Sequence, residues 1–436
     1  MIQLRNLTIK KFLIKVEENP RLETVGHLTL SESIQLRIAI VYSHLKEHGG
    51  AENVILKQTE MLNWRGYQTK CFFAYVDEKF GLKTNPHRYV DSYFDKLPEN
   101  QTVRILASIP LAPVTIKSLG ESDILICHGY GPSTWIGYTL KKLRKIKYIS
   151  YIHSPPRFLY LPKSERKLWR FDGTRNIIYF LSNLTKPIFK FIDFKGVSCS
   201  DFVLANSQFT AKRIKSIYGI DAEVCYPPVD TEIFKPLDRS VEDCFHDFFG
   251  DPFILSGGRI AAVKRWEWLI EMMQYIKREF HEAVLAITGE ISKGNLNYVR
   301  WLIKKAKKLN VEENVKFFGF KSLRELIELY SAADVYVYSV PKEDFGLCPV
   351  EAMACGTPVV VWNDGGGPCE TVLDGKTGFK AEPYNIEDLA EKTLKAITSF
   401  DKEKTRDFLP KYVEMKFSKE KHLKKLEETI MKVAAG

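Results

Sequence analysis

The sequence contains no G-x-G-x-x-G run, no D-x-D pair and no C-x-x-C pair. The first absence removes the dinucleotide fingerprint of nicotinamide enzymes. The other two remove common calcium and zinc ligand spacings, so no metal site is expected. Eight cysteines (71, 127, 199, 225, 244, 348, 355 and 369) are scattered without framework spacing. Several lie in apolar runs, where a thiol serves as a small core residue, and a reducing compartment follows. Long apolar runs are also missing. Residues 1–34 alternate charged and apolar side chains and lack the core of a secretory signal. The most apolar stretch, 177–194, is interrupted by Lys186, Pro187, Lys190 and Asp193, too often to span a bilayer. The expectation is a cytoplasmic protein.

A chain of 436 residues is long enough for two or three domains, each with its own core. Hydrophobic content of 45% and charged content of 27% are ordinary for a globular protein. The formal charge of +10 is concentrated: segment 157–195 holds nine basic and three acidic residues, a net +6. Phe158, Tyr160, Trp169, Phe171, Tyr179, Phe180, Phe189, Phe191 and Phe194 crowd the same segment. Basic and aromatic side chains together suggest an anionic membrane surface or a lipid phosphate, ahead of nucleic acid. A solvated face over a packed core is the plain alternative. Peripheral association with the cytoplasmic face of a membrane is the expected location.

Strand-like and helical runs alternate through most of the chain, the pattern of parallel α/β sheets. Strands are expected at 36–43, 69–74, 123–128, 147–153 and 202–207, and helices at 51–64 and 210–218. The stretch 235–252 is acidic and contains proline, which places a linker there. The rhythm then restarts, with strands at 253–257, 284–288, 315–319, 335–338 and 358–362. Helices are expected at about 266–277, 296–308, 323–331, 346–355 and 418–434. Two doubly wound domains follow, residues 1–234 and 235–414, with a C-terminal helix (about 415–436) that can pack back on the first. Ligands of such folds bind beyond the carboxyl ends of the strands.

The chemistry gathers at those ends. Glu343 and Glu351 bracket E-D-F-G-L-C-P-V-E, between a strand and a helix. One carboxylate precedes the helix N-terminus and the other is expected about two turns inside it. The free N–H groups of the first turn suit a phosphate, and the carboxylates suit hydroxyls on either side of it. A sugar–diphosphate–ribose molecule has that layout. Arg259 and Lys264, after the strand at 253–257, can grip the diphosphate from the far side. Gly49 and Gly50 open the first helix and let a ligand approach the backbone. His153 ends a strand; His44, His48 and His128 lie near strand ends and cannot be ranked by spacing. Glu370, after a third glycine run, can orient a nucleotide or cap a helix.

These pieces together resemble the family 4 retaining glycosyltransferases of the GT-B fold. The matching stretches are H-G-G-A-E (48–52), H-S-P-P-R (153–157), N-S-x-x-T (206–210), Y-P-P-V-D (226–230), G-G-R…K (257–264), F-F-G-F (317–320) and E-D-F-G-L-C-P-V-E (343–351). The resemblance implies two Rossmann-like domains facing each other across a cleft. It implies that Glu343 contacts the donor sugar and Glu351 the ribose. Arg259 and Lys264 would hold the diphosphate with the N–H groups of Gly346, Leu347 and Gly50, with Gly49 beside them. His153 would sit by the transferred sugar, and the backbone at Phe320 would read the base. No cofactor or metal is implied; the nucleotide-sugar is a co-substrate. H-S-P-P-R-F-L-Y and Y-P-P-V-D further resemble mannosyltransferases, which points to GDP-mannose as donor and a lipid-linked or polysaccharide acceptor. UDP-sugars stay open as donors. A sugar-nucleotide epimerase or hydrolase of the same fold, and a nucleotide- or lipid-binding module without chemistry, are the competing readings.

Overall fold

The computed structural model describes residues 36–45, 49–77, 90–92, 107–165, 168, 177–237 and 251–436. Residues 1–34, His48, much of the basic segment (Arg166, Lys167, Trp169–Arg175) and most of the expected linker lie outside these ranges.

Two parallel sheets organise the chain. The first comprises β1 (Arg37–Leu45), β2 (Gln68–Val76), β3 (Val90–Ser92), β4 (Ile124–His128), β5 (Lys147–Ile152), β6 (Phe202–Ala205) and β7 (Glu223–Val224). Their order is β3-β2-β1-β4-β5-β6-β7. The second comprises β8 (Phe253–Gly257), β9 (Val284–Thr288), β10 (Val315–Gly319), β11 (Val335–Tyr338), β12 (Val359–Trp362) and β13 (Gly378–Ala381), ordered β10-β9-β8-β11-β12-β13. The central strands are buried on both faces, so they read in sequence as continuous apolar runs rather than alternating ones. Each sheet reverses its winding once, between β1 and β4 and between β8 and β11. Crevices open at such switch points. This is the α/β GT-B architecture that the resemblance implied.

The chain crosses between the two units more than once. The helix Lys402–Phe417 buries Leu409, Tyr412, Val413 and Phe417 in a core shared with β11 and β12. Ser418 then breaks the run: its backbone leaves the helical region and its hydroxyl accepts from Lys421 N–H, capping a new helix, Lys419–Ala435. That last helix buries Leu423, Leu426, Ile430 and Val433 among Ile38, Ile40, Ile149 and Tyr151 of the first sheet.

Candidate functional site

The second sheet supplies one wall of the cleft. Arg259 follows the end of β8, and Lys264 lies on the short turn Ala262–Lys264. Glu343 stands five residues beyond β11. Its Oε2 receives Lys264 Nζ at 2.8 Å and the Tyr338 hydroxyl at 2.8 Å, and its Oε1 accepts the Asp344 N–H at 3.1 Å. Burial alone would raise the Glu343 pKa. The Lys264 and Arg157 cations and these hydrogen bonds more than offset it and hold the carboxyl at about 2. Glu343 is therefore ionised and fixed in orientation, with lone pairs left for a ligand hydroxyl.

The same loop is clamped from outside. Arg157 donates to the carbonyl of Lys342 at 3.1 Å and pairs with Asp344, and Ser207 donates to the Asp344 carbonyl at 2.5 Å. Gly367 N–H donates to the Glu343 carbonyl at 2.7 Å. A Cβ on Gly367 would lie 2.4 Å from the Asp344 carbonyl oxygen, so only glycine lets this turn press against the Glu343 loop. The third glycine run thus serves packing.

The first sheet supplies the opposite wall. A side chain at Gly49 would meet Glu52 Oε2 at 2.3 Å, and one at Gly50 would meet Leu347 of the other wall at 3.2 Å. Gly50 therefore helps set how closely the two walls approach, while Gly49 leaves room for the Glu52 carboxylate on its own wall. His153 follows β5, and burial, with His422 nearby, lowers its pKa to about 3, so the ring is neutral. Its Nε2 lies 2.9 Å from His128 Nδ1. Asn206, just after β6, is buried at the cleft, and its Oδ1 has no hydrogen-bond partner among the described residues. It is an acceptor awaiting a donor.

These walls enclose a cavity of about 620 Å³. Arg259, Lys264, Glu343, His153, Gly49, Gly50, Gly346 and Leu347 all line it. Phe320 and Glu351 are not among its lining residues. Phe320 is 68% exposed. The helix after Glu343 begins at Leu347, so Glu351 lies about one turn inside it rather than two. There the Tyr330 hydroxyl donates to it at 3.3 Å, and burial raises its pKa while Lys57 opposes the rise. Glu370 points away from the cavity. It accepts the N–H groups of Gln208 and Phe209 at 2.9 and 3.0 Å and the Tyr226 hydroxyl at 2.9 Å, capping a helix of the other unit.

Tyr42, Glu52 and Asp344 also line the cavity and were not singled out as site residues from the sequence; His44, one of the histidines that spacing leaves unranked, lines it too. His44 and Tyr42 carried one signal, their place at the end of β1. Glu52 carried another, its position in the first turn after the glycine pair.

Two doubly wound units with a polar, cation-bearing cleft between their switch points define a GT-B glycosyltransferase. The family model for Glycosyltransferase Family 4 matches residues 48–233, and that for Glycosyl transferases group 1 matches residues 246–409. The chain belongs to the family 4 glycosyltransferases. It is 25% identical over 359 residues to the human alpha-1,3/1,6-mannosyltransferase ALG2, covering 77% of this chain and 81% of that protein. It is 30% identical over 199 residues to D-inositol 3-phosphate glycosyltransferase of Mycolicibacterium smegmatis, 44% of each chain. The match to that relative thus spans less than half of the relative's length. Among solved structures, Anabaena Alr3699/HepE in complex with UDP superposes with TM-score 0.72 at 19% identity, covering 91% of this chain and 100% of that one. Sucrose-phosphate synthase of Thermosynechococcus elongatus superposes with TM-score 0.74 at 18% identity, covering 92% and 100%.

Proposed function

We propose that this protein is a retaining glycosyltransferase that needs no metal and moves mannose from GDP-mannose to a lipid-linked or polysaccharide glycan at a membrane surface. The observation that carries the reading is the grouping of Arg259, the Lys264–Glu343–Tyr338 triad and the helix start at Gly346–Leu347 on one wall. His153, Asn206 and the glycine pair face it from the other wall. Cations and free N–H groups suit a diphosphate leaving group, whereas the fixed carboxylate and the neutral acceptors suit sugar hydroxyls.

In the step this supports, the bond from the anomeric carbon to the diphosphate oxygen breaks, and the diphosphate keeps the electron pair. Arg259 and Lys264 stabilise the charge that develops there. The acceptor oxygen attacks from the same face, and its proton passes to the departing phosphate oxygen. No protein nucleophile is needed, and configuration is retained. Glu343 orients the sugar and is neither nucleophile nor base. Glu351 is assigned to the ribose and the backbone near Phe320 to the base, both outside the lining of the cavity.

The similarity to ALG2, a mannosyltransferase, supports mannose. UDP-sugars are the second reading, favoured by the fold neighbour HepE, which holds UDP. The membrane part rests on the described end of the basic segment. Ile188, Phe191 and Phe194 are 62%, 58% and 41% exposed beside Lys186, Lys190 and Lys195, on a helix (Ile177–Ser198) whose Asp193 is turned inward. No helix among the described residues is long and apolar enough to cross a membrane.

Thermal shift against GDP, UDP, ADP and their sugars identifies the donor, because a ligand of the folded state raises apparent stability. Turnover with lipid-linked acceptor should then fall at least ~100-fold in Arg259→Ala, the scale of losing one transition-state charge stabiliser. It should survive chelation of divalent ions. Release of free sugar or an epimer from donor alone, at the full rate, would overturn transfer in favour of hydrolysis or epimerisation.

A further inference from the structure

A line of buried polar side chains runs from the cleft to the last helix. His153 Nε2 lies 2.9 Å from His128 Nδ1, and His128 Nε2 lies 2.8 Å from Gln58 Oε1. Gln58 Nε2 lies 3.0 Å from His422 Nε2, and His422 Nδ1 lies 2.6 Å from the carbonyl oxygen of Tyr226. Four separate elements contribute: the last residue of β4, the residue after β5, the helix Gly50–Trp64 and the helix Lys419–Ala435. Gln58 and His128 are wholly inaccessible and His422 is nearly so. Such a line costs desolvation, and an apolar core would avoid that cost.

The line also has a direction. A carbonyl oxygen only accepts, so a nitrogen 2.6 Å away must carry a hydrogen. His422 is therefore protonated at Nδ1. Burial lowers its pKa to about 4, so the ring is neutral and Nε2 is left as an acceptor. That acceptor takes an N–H of Gln58, which fixes the amide with Oε1 towards His128. Oε1 only accepts, so His128 is protonated at Nε2. Burial also lowers the pKa of His128, with further opposition from the neighbouring histidines. Its Nδ1 is thus an acceptor and takes the Nε2 hydrogen of His153. Turning the Gln58 amide over would set its bare oxygen against the bare Nε2 of His422 and its N–H2 hydrogens against the Nε2–H of His128.

We infer that His422, Gln58 and His128 are positioning residues that lock His153 as its Nε2–H tautomer, so that Nδ1 meets the cleft as a hydrogen-bond acceptor for a hydroxyl. That the hydroxyl belongs to a sugar rests on the proposed function; the tautomer does not. An acceptor-only nitrogen beside the acceptor Oδ1 of Asn206 favours ligands rich in hydroxyl donors and disfavours a carbonyl or carboxylate at the same place. The Tyr151 ring, stacked on His128 at 4.9 Å between centroids, and its hydroxyl, donating to the Cys225 carbonyl at 2.6 Å, keep the line from tilting.

The test is 15N nuclear magnetic resonance of the full-length protein labelled at histidine, with His153→Gln used to assign the His153 signal. The expected spectrum shows His153 and His128 protonated at Nε2 only and His422 at Nδ1 only. His422→Gln can restore the direction, its amide N–H donating to the Tyr226 carbonyl and its Oε1 accepting from Gln58. It should keep a single His153 tautomer and most of the activity. His422→Leu removes the anchor, and His153 should then show both tautomers. With it, kcat/KM should drop about tenfold, the lower end of what outer partners of a functional histidine contribute. A wild-type His153 protonated at Nδ1, or a single Nε2–H tautomer surviving in His422→Leu, overturns the inference. A wild-type protein with the expected tautomers that transfers no sugar from any nucleotide donor would instead sink the proposed function and leave the lock standing.

Discussion

Lys264 serves two groups at once. It neutralises Glu343 at 2.8 Å and faces the space proposed for the diphosphate. Lys264→Ala should therefore lower turnover by ~100-fold or more and also free the Glu343 carboxyl from its nearest cation, so its pKa should rise. An infrared carboxylate band that still titrates near 2 in the variant would show that Lys264 does not hold Glu343 down. Acid stability follows from the same residues with signs worked out one by one. The Glu343 pKa is depressed, so its stabilisation is complete above its ordinary 4.5 and is lost as pH falls through about 2. His153 and His422 are depressed to about 3 and about 4, so their stabilisation is complete above 6.5 and fades as pH falls through those values. Thermal stability should thus begin to fall below pH 6.5, well before Glu343 contributes. His422→Gln should flatten the slope between pH 6 and 4.5 by up to one proton, about 1.4 kcal/mol per pH unit. An unchanged slope would mean that His422 is protonated in the folded protein.

At the scale of elements, the central strands were legible because a parallel strand buried on both faces has to be an apolar run, as V-L-A-I-T and V-Y-V-Y show. The cleft residues at strand ends were legible for the same reason, since the architecture decides where ligands go. Contacts between distant elements were not. Nothing in spacing says that Glu370 caps the helix Gln208–Tyr218 of the other unit, or that His422 reaches Gln58 over a separation of 364 residues. The helix Lys402–Phe417 also escaped, because Pro410 inside it and a mostly charged face hide its buried stripe. The cap makes a specific claim. Glu370→Ala leaves two helix N–H groups and the Tyr226 hydroxyl without their acceptor, and stability should fall by about 1–2 kcal/mol. Denaturant midpoints measure this, and a change within error would mean that water replaces the carboxylate at no cost.

The whole molecule is two units held together around the cleft by Arg157–Asp344, Ser207 on the Asp344 carbonyl, and Glu370 on the helix at 208. Its outer face carries the exposed Ile188, Phe191 and Phe194 among lysines, and the membrane proposal belongs here. Vesicles containing anionic lipid should co-sediment the protein, with binding weakened by salt and by Lys186→Glu with Lys190→Glu. Binding indifferent to lipid charge and salt would remove the electrostatic part. The return of the helix Lys419–Ala435 to the first sheet has a further consequence, for synthesis. A ribosome completes β1 to β7 long before it reaches Leu423, Leu426, Ile430 and Val433, which finish their core. The first unit to emerge is therefore the last to be completed. A nascent chain in which the second unit has already folded still lacks His422, so the histidine beside the cleft acquires its fixed tautomer only after both halves have been made.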